Sequence, residues 1–157
     1  MPWPRGLVAP GPDLTGPVQP RRIPPMSLKI EVSVGELLDK ITILQIKSER
    51  IPDEAKLVNI RKELGVLEGA WAASPLSDTD VTPEMAALKR VNEALWEIED
   101  DIRQKEADKS FDDGFIELAR SVYRQNDRRA AIKKELNLKL GSGLVEEKSY
   151  KEYDAPE

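Results

Sequence analysis

Leu88, Val91, Leu95, Ile98 and Ile102 recur at steps of three and four, the spacing that gathers side chains on one face of an α-helix. The stripe predicts a helix from Thr82 to about Asp108, roughly 39 Å long at 1.5 Å per residue. A second stripe follows: Phe115, Leu118, Val122, Ile132, Leu136 and Leu140, closed by "GSG" at residues 141–143, where glycine favours a helix C-terminus. The link between them, "ADKS", is too short for anything but a tight reversal, so the two helices lie antiparallel. Long amphipathic helices placed side by side bury their stripes as a bundle.

The N-terminal half reads the same way. Ser33 as N-cap and Glu36 three residues on form a capping box, with Val32 and Leu37 at the staple positions. Pro52 ends that first helix. Asp53 caps a second helix whose stripe is Leu57, Ile60, Leu64, Leu67 and Trp71. Residues 72–81 form a loop, Thr82 with Pro83 starts the third helix, and Ser110 with Asp113 resembles a capping box for the fourth. The expected fold is all-α: a small antiparallel, coiled-coil-like bundle of two helical hairpins, with four main helices and an extended C-terminal tail from about residue 141. The first helix carries Leu37, Ile41 and Leu44 as one stripe, with Ile43 and Ile46 well round from it. Apolar residues over so wide an arc predict a central helix packed on more than one side.

Residues 1–25 hold eight of the twelve prolines and three of the nine glycines. Such a segment suits neither a helix interior nor a central strand, and it is expected to be a disordered Pro-rich extension. Met26 is the expected true start, with residues 1–25 not translated; a Pro-rich ligand for an SH3-like partner is the sharper alternative. Residues 26–157 are expected to form a single helical domain.

Two zero counts exclude whole chemistries. With no cysteine there is no disulfide, thiolate nucleophile or cysteine-ligated zinc. With no histidine the Ser-His-Asp triad and the usual proton shuttle are absent. A net charge of −5 argues against general nucleic-acid binding, which needs a cationic surface. No apolar run is long enough to cross a bilayer, and the expected location is the cytoplasm.

Beside the core stripe of the third helix runs a second line: Asn92, Trp96, Glu99 and Arg103. The fourth helix offers Arg120, Tyr123, Arg124 and Asp127. A reversal near residue 109 places Glu99 near Arg120, Trp96 near Tyr123 and Asn92 near Asp127. These eight residues are the candidate ligand cleft, floored by Trp96 and Tyr123; the bland reading of the same residues is a set of exposed ion pairs fixing register. The cationic run Arg120, Arg124, Arg128, Arg129, Lys133 and Lys134 could hold phosphate, because guanidinium forks match phosphate oxygens. Asn126 and Arg129 lie close to the apolar stripe, which marks one of them as a buried polar group setting register or oligomeric state. No resident cofactor or metal is expected. The alternative is a magnesium site on the paired acids Glu36/Asp39 and Glu97/Asp100, the oxygen-only chemistry open to a chain without histidine or cysteine.

The segments "VSVGELLDKITILQIKSERI", "LWEIEDDIRQKE", "FDDGFIELARSVYRQNDRRAAIKKELN" and "GSGLVEEKSY" resemble a small bacterial family of uncharacterised proteins, domain of unknown function 6165. The resemblance runs from Val32 to Tyr153 and leaves the Pro-rich start outside. It implies a domain boundary and no activity, with a loose surface-polysaccharide context at most. The functional expectation is therefore a non-catalytic helical interaction or accessory protein, working through a protein partner or self-association. The alternative is a metal-dependent enzyme acting on a nucleotide or other phosphorylated small molecule.

Overall fold

The computed structural model of the chain describes residues 26–153. The expectations for residues 1–25 lie outside that range. Contacts divide the chain after Ile30; Met26–Ile30 has no regular structure, and the helical unit starts at Glu31.

Four α-helices make up that unit: α1 (Val34–Arg50), α2 (Glu54–Ala72), α3 (Thr82–Ala107) and α4 (Asp113–Lys139), and the expected loop between α2 and α3 holds a short 3-10 helix at Pro75–Asp78, capped by Ser74. No strand occurs among the described residues. The fold is the expected all-α pair of helical hairpins. Helix α1 packs against α2, α3 and α4, whereas the backbone of α2 comes close to neither α3 nor α4 and only its side chains Leu64, Leu67 and Trp71 reach the shared core. So α1 is the central helix, with α2 on one side and the α3–α4 hairpin on the other. Leu44 meets Leu57 and Ile60 of α2. Leu38 and Ile41 meet Leu88 and Leu136, and Ile46 is 1% exposed. That division of labour accounts for the wide apolar arc on α1.

Most boundaries follow from local chemistry. The Ser33 hydroxyl accepts the N–H of Glu36 at 3.2 Å, and Asp53 accepts from Ala55 and Lys56. Two starts differ from expectation. Thr82 is the first residue of α3 and not its cap; the N-cap is Val81, which has no side-chain cap bond and is buried in the core, while Asp80 takes the N–H of Thr82. For α4 the cap is Asp112, which accepts from Phe115, and Ser110 supports it by donating to the Asp112 carboxylate. A carboxylate held by Lys105 as well is a stronger cap than a serine hydroxyl. Both long helices end in Schellman turns: Lys109 (φ 52°) closes α3 and Gly141 (φ 61°) closes α4.

Helices α3 and α4, at 26 and 27 residues, outlast the 17-residue α1. The turn end of their hairpin is a two-helix structure, where Ile102, Phe115 and Leu118 stay half-buried. After Gly141 the tail has no regular structure but is tied to the bundle: Lys133 binds Glu146 at 2.9 Å and Tyr153 binds Asp127 at 2.6 Å. No described helix is long and apolar enough to cross a membrane.

Candidate functional site

The face of α1 turned to the hairpin is not purely apolar. Gly35, Asp39, Thr42 and Ile46 are all buried at steps of four, three and four, so a second, mixed stripe runs beside the hydrophobic one. Asp39 is 4% exposed and Thr42 1%. A buried carboxylate needs hydrogen-bond donors, and the Asn92 amide supplies one, at 2.8 Å from Asp39 Oδ1, while its other donor reaches the Thr42 hydroxyl at 3.0 Å. That fixes the amide's orientation and turns Asn92 Oδ1 toward α4, where it accepts from Arg129 Nη1 at 3.3 Å. Asn126 accepts from Arg129 Nη2 at 2.8 Å. The guanidinium is thus held by two neutral amide oxygens, and no carboxylate pairs with it among the described residues.

Asn126 and Arg129 line two cavities. One, of about 570 Å³, lies where the tail rests on α4. All three tyrosines of the chain, Tyr123, Tyr150 and Tyr153, line it, with Arg129, Lys133, Lys148 and Lys151 as cations and Asp127 as the carboxylate. Tyr123 and Tyr153 meet edge to face at 4.8 Å between ring centroids. The Tyr153 phenol donates to Asp127, and that bond raises its pKa above the usual tyrosine value. Lys133 is 8% exposed; burial lowers its pKa, but hydrogen bonds to Glu36 and Glu146 outweigh burial and leave it raised, hence protonated. Glu146 is pulled down to about 2 by Lys148 first and Lys133 second.

The other cavity, about 460 Å³, opens between α1 and the hairpin. Trp96 stands in it with Ile43, Ile46 and Leu95, and Glu99, Asp100 and Arg103 add polar groups. Both volumes fall within the range of small-molecule pockets.

Of the eight residues of the expected cleft, Asn92, Trp96, Glu99 and Arg103 share the second cavity, and Tyr123 and Asp127 line the first. Arg120 and Arg124 line neither; both turn to Glu117, at 3.8 and 2.8 Å. The expected cross-helix pairs are replaced. Glu99 pairs with Arg103 on its own helix at 2.8 Å, Tyr123 with Tyr153, and Asn92 with Asp39. The cause is a register in which Asn92 meets Arg129 and not Asp127, together with a tail that claims Tyr123 and Asp127. Of the cationic run, only Arg129 and Lys133 reach the first cavity.

The four acids of the alternative magnesium set are held apart. Glu36 binds Lys133 at 2.5 Å, Asp39 binds Asn92, Glu97 binds Arg50 at 3.3 Å, and Asp100 lines the Trp96 cavity. Among the described residues no three acidic side chains are grouped to hold a metal ion. Sequence reasoning missed Lys148, Lys151, Tyr150 and Thr42 as site residues. The dense tyrosine and lysine content of "KSYKEY" was the available signal for the tail.

These features define a small all-α domain of two helical hairpins with a cationic, tyrosine-walled cleft. The chain belongs to the family of unknown function DUF6165, whose model matches residues 28–156 and so spans all four helices and both cavities. No curated protein and no solved structure matches it.

Proposed function

We propose that the protein is a non-catalytic accessory protein that binds a phosphorylated, ring-bearing small molecule in the tyrosine-walled cavity. The observation that carries this reading is Arg129, a guanidinium fixed by two amide oxygens and paired with no carboxylate among the described residues, in a wall of a cavity that also gathers three tyrosines and three lysines. Guanidinium and ammonium groups suit phosphate oxygens, and tyrosine rings offer flat apolar faces for a ring system. The cavity's lysine and arginine cations supply charge rather than an acid–base pair, which favours binding over turnover. The proposal places the protein in the cytoplasm, where nucleotides and other phosphorylated small molecules are made and used. Its occupancy would be read by a protein partner or a second copy of the chain.

The test is scanning fluorimetry of the whole chain with inorganic phosphate, uridine monophosphate and adenosine monophosphate at millimolar concentration. A ligand that binds only the folded state raises the melting temperature. The nucleotides should raise it more than phosphate does, and Arg129→Gln and Tyr153→Ala should each remove most of that rise. No shift with any of the three compounds would overturn the proposal.

A further inference from the structure

Arg129 and Asn126 line both cavities, so the guanidinium stands between two chambers of different chemistry. On the tail side stand tyrosine rings and lysines. On the other side Trp96 supplies a large ring face, Glu99 and Asp100 supply carboxylate oxygens, and the one cation besides Arg129 among its described residues, Arg103, is paired with Glu99. Carboxylates repel a second phosphate and accept hydrogen bonds from hydroxyl groups. A ring that carries hydroxyls and no charge suits the Trp96 chamber, because its apolar face can lie on the indole while its hydroxyls donate to the acids. Glu99 is partly engaged by Arg103 at 2.8 Å, whereas Asp100 takes part in no ion pair among the described residues.

We infer that the ligand is a nucleoside diphosphate whose terminal phosphate carries a second, hydroxylated ring. The base lies among Tyr123, Tyr150 and Tyr153, the diphosphate at Arg129, and the second ring on Trp96. The buried pair Asp39–Asn92 acts as a positioning element: it fixes the amide oxygen that holds Nη1 of Arg129 at the junction. The inference rests on the function proposed above and extends it into the second chamber. A sugar and a second ribose both satisfy the chemistry of that chamber.

Isothermal titration of the full chain with uridine diphosphate, uridine diphosphate-glucose, adenosine diphosphate and adenosine diphosphate-ribose tests it. At least one capped compound should bind about tenfold or more tightly than its own uncapped diphosphate, a difference of about 1.4 kcal/mol; glucose and ribose distinguish the two kinds of second ring. Trp96→Ala should remove that gain and leave the affinity for the uncapped diphosphates within about twofold. Asp100→Asn, a change at an exposed position, should weaken the capped compound alone and serves if the tryptophan variant fails to fold. Equal affinity for capped and uncapped compounds, or an equal loss for both in the two variants, overturns the second chamber while leaving the first. Absence of binding by all four compounds overturns both readings.

Discussion

The side-chain oxygen of Asn137, near the end of α4, accepts the backbone N–H of Gly35, in the first turn of α1, at 2.7 Å. Ser142 takes the N–H of Val34 at 3.1 Å and Ser33 that of Glu36, so three donors left open at the start of a helix are satisfied, two of them by the far end of the chain. Such bonding requires the backbones to approach closely. A Cβ on residue 35 would stand 2.5 Å from the carbonyl oxygen of Lys133 and 3.0 Å from Asn137 Oδ1. Gly35→Ala should therefore force α1 and α4 apart and destabilise the fold by about 1–3 kcal/mol. Urea unfolding followed by circular dichroism measures this; a change below 0.5 kcal/mol, taken roughly as the effect of an ordinary surface substitution, would mean that the contact is not maintained.

Removing one member of the buried Asp39–Asn92 pair should cost more than removing both. Asn92→Leu leaves the Asp39 carboxylate without its amide donor and should destabilise by about 1–3 kcal/mol, whereas the double variant Asp39→Leu, Asn92→Leu should recover much of the loss. A double-mutant cycle reads the coupling. Additive losses would show that the pair is not an energetic unit.

Acid should loosen the tail only as pH falls from about 4.5 toward 2. Glu146 lies below its ordinary value of 4.5, at about 2, in the folded chain. A carboxyl group with a depressed folded pKa contributes stability that is complete above about pH 4.5 and is lost as pH falls toward 2. Lys133 is raised, so its contribution is present throughout that window and declines only in strong alkali. NMR resonances of Tyr150 and Tyr153 should move toward random-coil positions across the acid window, and Glu146→Gln should shift them the same way at pH 7. Tail resonances unmoved by that variant would show that Glu146 does not hold the segment.

Lys109 closes α3 with a left-handed backbone at φ 52°, a conformation that costs a residue with a Cβ about 1–2 kcal/mol. Glycine has no such cost but orders from a freer unfolded chain, a loss of about 0.5–1 kcal/mol. Lys109→Gly should stabilise by the difference, roughly 0.5–1 kcal/mol, as a raised melting temperature. A lowered one would show that the lysine stem compensates at the turn.

The sequence by itself determined the helices, because their causes act within a turn or two. Apolar spacing marked Leu88 to Ile102, the Ser33 and Asp53 caps began two helices, Pro52 ended one, and Gly141 sat where a left-handed residue was needed. The width of the apolar arc on α1 was enough to place that helix at the centre. Even the site left a trace, in two polar residues, Asn126 and Arg129, beside the stripe of α4. Tertiary structure decided the rest. Whether Asn92 faces Asp127 or Arg129 is a shift of two residues between helices that local periodicity does not specify, since packing of side chains far apart in sequence sets it. The mixed stripe Gly35, Asp39, Thr42 and Ile46 is invisible to hydrophobic patterning because two of its four members are polar; those two, Asp39 and Thr42, meet a partner in Asn92, itself 5% exposed, which arrives from α3. The tail's tyrosines and lysines, aperiodic in sequence, acquire a shared cavity because ion pairs from Glu146 to Lys133 and from Glu147 to Lys134, with a hydrogen bond to Asp127, lay them along α4.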